Sequence, residues 1–98
     1  MQYNFEWDPN KAKSNVKKHG VQFELAANVF KDLLMLTLFD EAYSEGDEER
    51  WNTLGKVNHS MYVVVCHTYL DERNDTVTIR IISARPATKA EIRQYKEY

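Results

Sequence analysis

The stretch Thr78–Tyr95, TIRIISARPATKAEIRQY, decides how this chain is to be read. It opens as an apolar strand and closes as a charged helix. Thr88 followed three residues later by Glu91 has the spacing of a capping box, which marks the start of that helix. Two arginines interrupt the apolar part. Arg80 lies inside it and Arg85 at its exit. A strand that only packs has no use for a guanidinium, so these groups are either solvated bystanders or face a groove that holds an anion. In a regular strand Arg80 shares a face with Thr78, Ile82 and Ala84, while Val77, Ile79, Ile81 and Ser83 take the other. The apolar set should meet the helices and leave Arg80 on an open face. Residues 80 and 85 differ by an odd number, so the two converge only if the chain bends, and Pro86 predicts a bend near Ser83–Pro86.

Outward from this stretch, the expected last strand, Thr76–Ala84, is preceded by a polar turn, DERND, and by MYVVVCHTYL, Met61–Leu70, whose β-branched and aromatic content predicts a strand. RWNTLGKV, Arg50–Val57, predicts another, and LLMLTLF, Leu33–Phe39, a third. Between these lies DEAYSEGDEE, Asp40–Glu49, with six carboxylates and no cation. At the start, Tyr3, Phe5 and Trp7 alternate with polar residues, as one aromatic face of a strand would. Asp8, Pro9 and Gly20 then mark both ends of a helix. Val21, Phe23, Leu25, Ala26, Val29 and Phe30 fit a second helix, joined to the first as a hairpin. The order is β-α-α-β-β-β-β-α. Short polar turns favour antiparallel pairing, so the expected fold is a two-layer α+β domain, 1–98, with a mainly antiparallel sheet.

The totals set limits. With 98 residues, 43% of them hydrophobic and 29% charged, one globular domain is expected. The net charge of -2 gives no whole-molecule attraction to nucleic acid. The single cysteine, Cys66, forms no internal disulfide and is expected to act as a small buried hydrophobe. One Cys and three scattered His, residues 19, 59 and 67, make no zinc pattern. No signal peptide or membrane span is apparent, which predicts a cytoplasmic protein with no membrane partner.

The charge is segregated. Lys11, Lys13, Lys17 and Lys18 give the first helix four cations and no anion within Pro9–Gly20. If that helix lies near the last strand, a cationic groove forms on a near-neutral protein. Such a groove is the minimum for holding a polyanion. The plainer alternative for each lysine is a solvated helix face.

Three blocks are familiar together: FEWDPNKAKSNVKKHGVQFELAANVF, EERWNTLG and IRIISARPATKAEIRQY. In this order and spacing, over about half of the chain, they resemble the BrnT family of toxins of type II toxin–antitoxin systems, which have a RelE-like fold. The resemblance implies an endoribonuclease. It also implies a cognate, BrnA-like, DNA-binding antitoxin, so that DNA is met only through that partner in a hetero-oligomer. It implies no cofactor and no metal. The rival reading is a non-catalytic RNA- or ribosome-binding module that acts only by assembling with its antitoxin.

Metal-independent RNA cleavage uses the 2′-hydroxyl as nucleophile and passes through a phosphorane of added negative charge. Guanidinium groups match phosphate oxygens. The expected catalytic set is Arg85 first, then Arg80, with Arg50, Lys18 and His67. Arg85 has a helix-side surface charge or an antitoxin contact as its alternative, and Arg80 a cross-strand ion pair. Arg50 either supports the groove or pairs with Glu49. His67 shares a face with Arg80 only in one register, and is otherwise a hydrogen-bonded sheet histidine. Lys13, Lys17 and His19 are expected to bind RNA, with helix capping the alternative for His19.

Overall fold

The structure, a computed structural model, describes residues 2–41, 48–73 and 75–97. The elements run β1 (Gln2–Glu6), α1 (Pro9–His19), α2 (Phe23–Ala26), a 3-10 turn (Ala27–Lys31), β2 (Leu36–Phe39), β3 (Trp51–Lys56), β4 (Tyr62–Arg73), β5 (Thr76–Pro86) and α3 (Lys89–Glu97). The expected class and element order hold. One five-stranded sheet has the order β1-β5-β4-β3-β2, with β1 parallel to β5 and every other pair antiparallel.

Several boundaries differ from expectation for local reasons. Leu33 and Leu34 are not in a strand and are exposed. The Asp32 side chain accepts the Leu34 N–H and its carbonyl accepts the Met35 N–H, so the chain turns before β2 begins. The second helix is one α-turn followed by a 3-10 turn, with Val21 ahead of both. Most of the acidic loop, residues 42–47, lies outside the described residues, as does Tyr98.

The helix caps follow the sequence. Asp8 accepts the Asn10 N–H, Pro9 opens α1, and Gly20 closes it at φ 70° with its N–H on the Val16 carbonyl. The left-handed turn sends the chain straight back as Val21–Phe23, and both of those side chains are fully buried. They join Ala26, Val29, Phe30, Val63, Val65, Val77, Ile79, Ile81 and Ala84 in the main core, with Tyr3, Phe5 and Trp7 packed against it. At Gly55 an added Cβ would sit 3.1 Å from Val29 and 3.2 Å from the Asp32 carboxylate. A glycine there lets the 3-10 turn rest directly on β3.

The opposite face carries a smaller core of Leu54, Val64 and Tyr95, with Leu36, Tyr62 and Ala87. Helix α3 makes this cluster, so it covers one end of that face and leaves the other end open. Its anchor is Tyr95, whose O–H donates to Asp32 at 2.7 Å. Burial would raise the Asp32 carboxyl, but donors from Lys56 N–H, Tyr95 O–H and Leu34 N–H outweigh it and hold the group below its ordinary value. Burial and the Asp32 contact push the Tyr95 hydroxyl up to about 12.

Asn15 closes the remaining gap. Strand β1 covers β5 only as far as Arg80. Beyond it, the buried Asn15 side chain donates to the Val21 and Ala84 carbonyls at 2.9 and 2.8 Å and accepts the Ala84 N–H at 3.0 Å. It thus stands in for a missing strand. Replacing Asn15 by Ala leaves three buried backbone groups without partners, so we expect a loss of about 3 kcal/mol or more in denaturant unfolding, against little change for Ser14→Ala next to it.

Candidate active site

The parity problem in β5 is solved by a bulge. Val63–Cys66 pair with Pro86–Ser83, but His67 pairs with Ile81, so Ile82 is the extra residue. The bulge lies just before the predicted bend. It leaves Ile79 and Ile81 facing the helices, then moves Ala84 to that same face and Ser83 to the other. This corrects the straight-strand expectation for 83 and 84. Arg80 lies opposite Thr68, and Arg85 opposite Val64. Residues 64 and 68 share a face of β4, so Arg80 and Arg85 share a face of β5.

That face is a trough. Its floor is Val64, Cys66 and Thr68 of β4 beside Arg80, Ser83 and Arg85 of β5 and Asn52 of β3. Cys66 is half-buried here, opposite Ser83, rather than sitting in the main core. Burial pushes its thiol up, and the Arg50 guanidinium pulls it the other way. Arg50 meets Glu48, at 3.7 Å, and not Glu49. Glu48 and Glu49 line a cleft of about 510 Å³ with Thr68, Leu70 and the exposed Arg80. Arg80 has no ion pair or hydrogen bond through its side chain to another described residue. Arg85 is paired: Nη1 and Nη2 donate to the two Glu91 oxygens at 2.7 and 2.8 Å. That pairing draws the Glu91 carboxyl down to about 2 and raises the Arg85 pKa.

The lysine helix reaches β5 at its edge. Lys11, Lys18 and His19 line a smaller cleft with Ile82 and Ser83, so the bulge is flanked by guanidinium groups on one side and α1 cations on the other. Lys13 and Lys17 are exposed on α1 and are not among the residues of that cleft. Sequence reading passed over Asn15, Glu48 and Glu91 as site residues. Only Glu91 had a visible signal, its capping-box spacing.

His67 is not in the trough. It pairs with Ile81 on the helix face, fully buried, with its ring edge-on to Phe30 at 4.9 Å. Its Nε2 shares a 2.7 Å hydrogen bond with Thr53, which bonds Thr37 at 2.8 Å. The one register that would have joined it to Arg80 is not the one formed. Among the described residues, no group of three or more His, Cys, Asp or Glu is placed to hold a metal ion.

Comparison with known proteins decides the assignment. Residues 7–91 match the family model described as the ribonuclease toxin BrnT of type II toxin–antitoxin systems. The chain belongs to the BrnT family. It is a ribonuclease toxin of a type II system, which gives it an antitoxin partner and an RNA substrate. The crystal structure of the ribonuclease toxin BrnT from Brucella abortus superposes with a TM-score of 0.66 at 22% identity, over 91% of this chain and 100% of that one. That likeness confirms the fold. No curated protein matches this BrnT-family chain in sequence.

The buried imidazole generates a pH prediction. Burial lowers the His67 pKa from 6.5 to about 4. The unfolded chain therefore binds the proton more readily than the folded one between those values. Stability is complete above pH 6.5 and falls as pH drops toward 4, by about 3 kcal/mol at the acid end. The Glu91 carboxyl, depressed to about 2, loses its contribution only below its ordinary value of 4.5, so the two windows hardly overlap. Chemical denaturation from pH 7 to pH 4.5 should show this slope, and His67→Gln should flatten it.

Proposed function

We propose that this toxin cleaves RNA as a metal-independent endoribonuclease whose phosphorane is stabilised by Arg85 and Arg80, with Arg50 in support. The observation that carries the reading is the bulge at Ile82, which puts Arg80 and Arg85 on one open face. A trough lined by cations suits a transition state whose only new charge is on phosphate oxygens. RNA enters over the edge of β5, where Lys18 and His19 hold the backbone or pass a proton to the leaving 5′ oxygen. Lys13 and Lys17 extend the contact along α1. The carboxylates of Glu48 and Glu49 lie in the same cleft as Arg80 and are able to accept the 2′ proton. His67 has no part in this scheme, being enclosed in the main core.

The antitoxin is, in this reading, BrnA-like and DNA-binding, and the toxin meets DNA only through it, in the cytoplasm. It covers the trough with acidic side chains, because enclosing unpaired guanidinium groups is costly. No helix among the described residues is long and apolar enough to cross a membrane.

The test uses purified, antitoxin-free toxin and a defined RNA in EDTA. We expect cuts that leave 2′,3′-cyclic phosphate and 5′-hydroxyl ends, and no cut at a site carrying a single 2′-deoxy substitution. Arg85→Ala and Arg80→Ala should each lower kcat by roughly 100-fold or more. Loss of cleavage in EDTA, restored by a divalent ion, would overturn metal independence. Binding of RNA with no cleavage in either condition would favour a non-catalytic module.

A further inference from the structure

Arg85 is held in an unusual way for a phosphate ligand. A free guanidinium offers any of its edges. Here the end-on edge is taken, because one N–H from each of Nη1 and Nη2 goes to Glu91. The outer Nη1–H leans toward the Pro86 carbonyl at 3.4 Å. What remains is the side edge, carrying Nε–H and the outer Nη2–H. Two parallel donors on one edge match two oxygens of a phosphate.

Glu91 is itself immobilised. Its Oε1 accepts the Thr88 N–H at 2.8 Å while its own N–H donates to the Thr88 hydroxyl at 3.1 Å. One turn further on, Tyr95 is buried and bonded to Asp32. A spacing of four puts Glu91 and Tyr95 on one face of α3. Asp32 in turn takes the backbone N–H of Lys56 in β3. Hydrogen bonds at both ends of this turn of α3 therefore tie it to β3 through Tyr95 and Asp32, and to the guanidinium on β5 through Glu91.

We propose that Glu91 is a positioning residue that clamps Arg85 end-on, so that only its Nε–Nη2 edge is presented to the scissile phosphate. The inference rests on the ribonuclease reading above. The clamp removes the rotamer freedom of a long side chain before RNA arrives, and small misplacements of such a group cost rate far more than binding. The carboxylate gives up no proton in this role.

Glu91→Gln separates the clamp from the helix cap. Glutamine keeps the capping box, but its amide Nε2 opposes Nη2 of Arg85 donor to donor and breaks one prong. Thr88→Ala does the reverse, weakening the cap and leaving the pair with Arg85. For Glu91→Gln we expect kcat to fall roughly 10- to 100-fold with KM changed by less than about threefold, at a near-normal Tm. For Thr88→Ala we expect Tm to drop by about 4–8 °C and kcat, measured well below that Tm, to stay near wild type. A wild-type rate for Glu91→Gln, or an equal loss of rate in both variants, would overturn the clamp. Arg85→Ala is the control. If it abolishes cleavage while Glu91→Gln does not, the positioning role alone is lost. If Arg85→Ala cleaves normally, the role of Arg85 is lost and the clamp with it.

Discussion

The last strand must serve two faces with opposite demands, and a single extra residue reconciles them. Ile79, Ile81 and Ala84 are buried against the helices, while Arg80 and Arg85 meet solvent. Strict alternation forbids this set, because 81 and 84 differ by an odd number, as do 80 and 85. Inserting Ile82 unpaired between Ile81 and Ser83 shifts the pairing by one and re-aims everything after it. Without the bulge, Arg85 would enter the main core and Ala84 would leave it. An unpaired guanidinium there would cost several kcal/mol. The feature that gathers the arginines is thus also required for the core to close.

The bulge sits where β5 loses its neighbour. Strand β1 ends at Glu6, opposite Arg80, and the chain turns into α1 at Asp8. A bare edge past that point would invite pairing with other chains. Asn15 prevents this by bonding both backbone groups of Ala84. Holding α1 so close has a second effect. Lys11, Lys18 and His19 come to lie beside Ile82 and Ser83. Edge protection and delivery of positive charge are one arrangement. The lysine-rich helix does not share the open face with the arginines. It approaches the same strand from its side.

Much of this was readable beforehand, and the failures have physical causes. Asp8, Pro9 and Gly20 gave both ends of α1, and Thr88 with Glu91 gave the start of α3, because caps are local hydrogen-bond chemistry. The apolar side of β5 was legible up to Ile81, since alternation is also local. It failed at 83 and 84 because a bulge is chosen by long-range packing, and Ile82 looks like any strand residue. His67 was undecidable for a similar reason: its face depends on a register that its own neighbours do not encode. Asn15 was invisible because its partners, Val21 and Ala84, are fixed only once the fold exists. Leu33 and Leu34 misled because an apolar run reads as strand, whereas the preceding Asp32 side chain turns the backbone first.

The carboxylates among the arginines explain how so cationic a face is tolerated on a protein of net charge -2. Guanidinium groups crowded on one sheet face would repel one another in the empty state. Glu91 takes the end of Arg85, and Glu48 lies against Arg50, so the repulsion is offset where those groups stand. Arg80 is left with neighbouring acids in its cleft but no direct partner among the described residues. One cation on this face is therefore uncommitted, and two are already partly committed to acids. Strong uniform attraction would hold substrate and product alike and add nothing to the chemical step. On the reading proposed above, cations already oriented by fixed acids would act most where charge grows, on the phosphorane, and that preference for the transition state would turn a basic trough into a catalytic one.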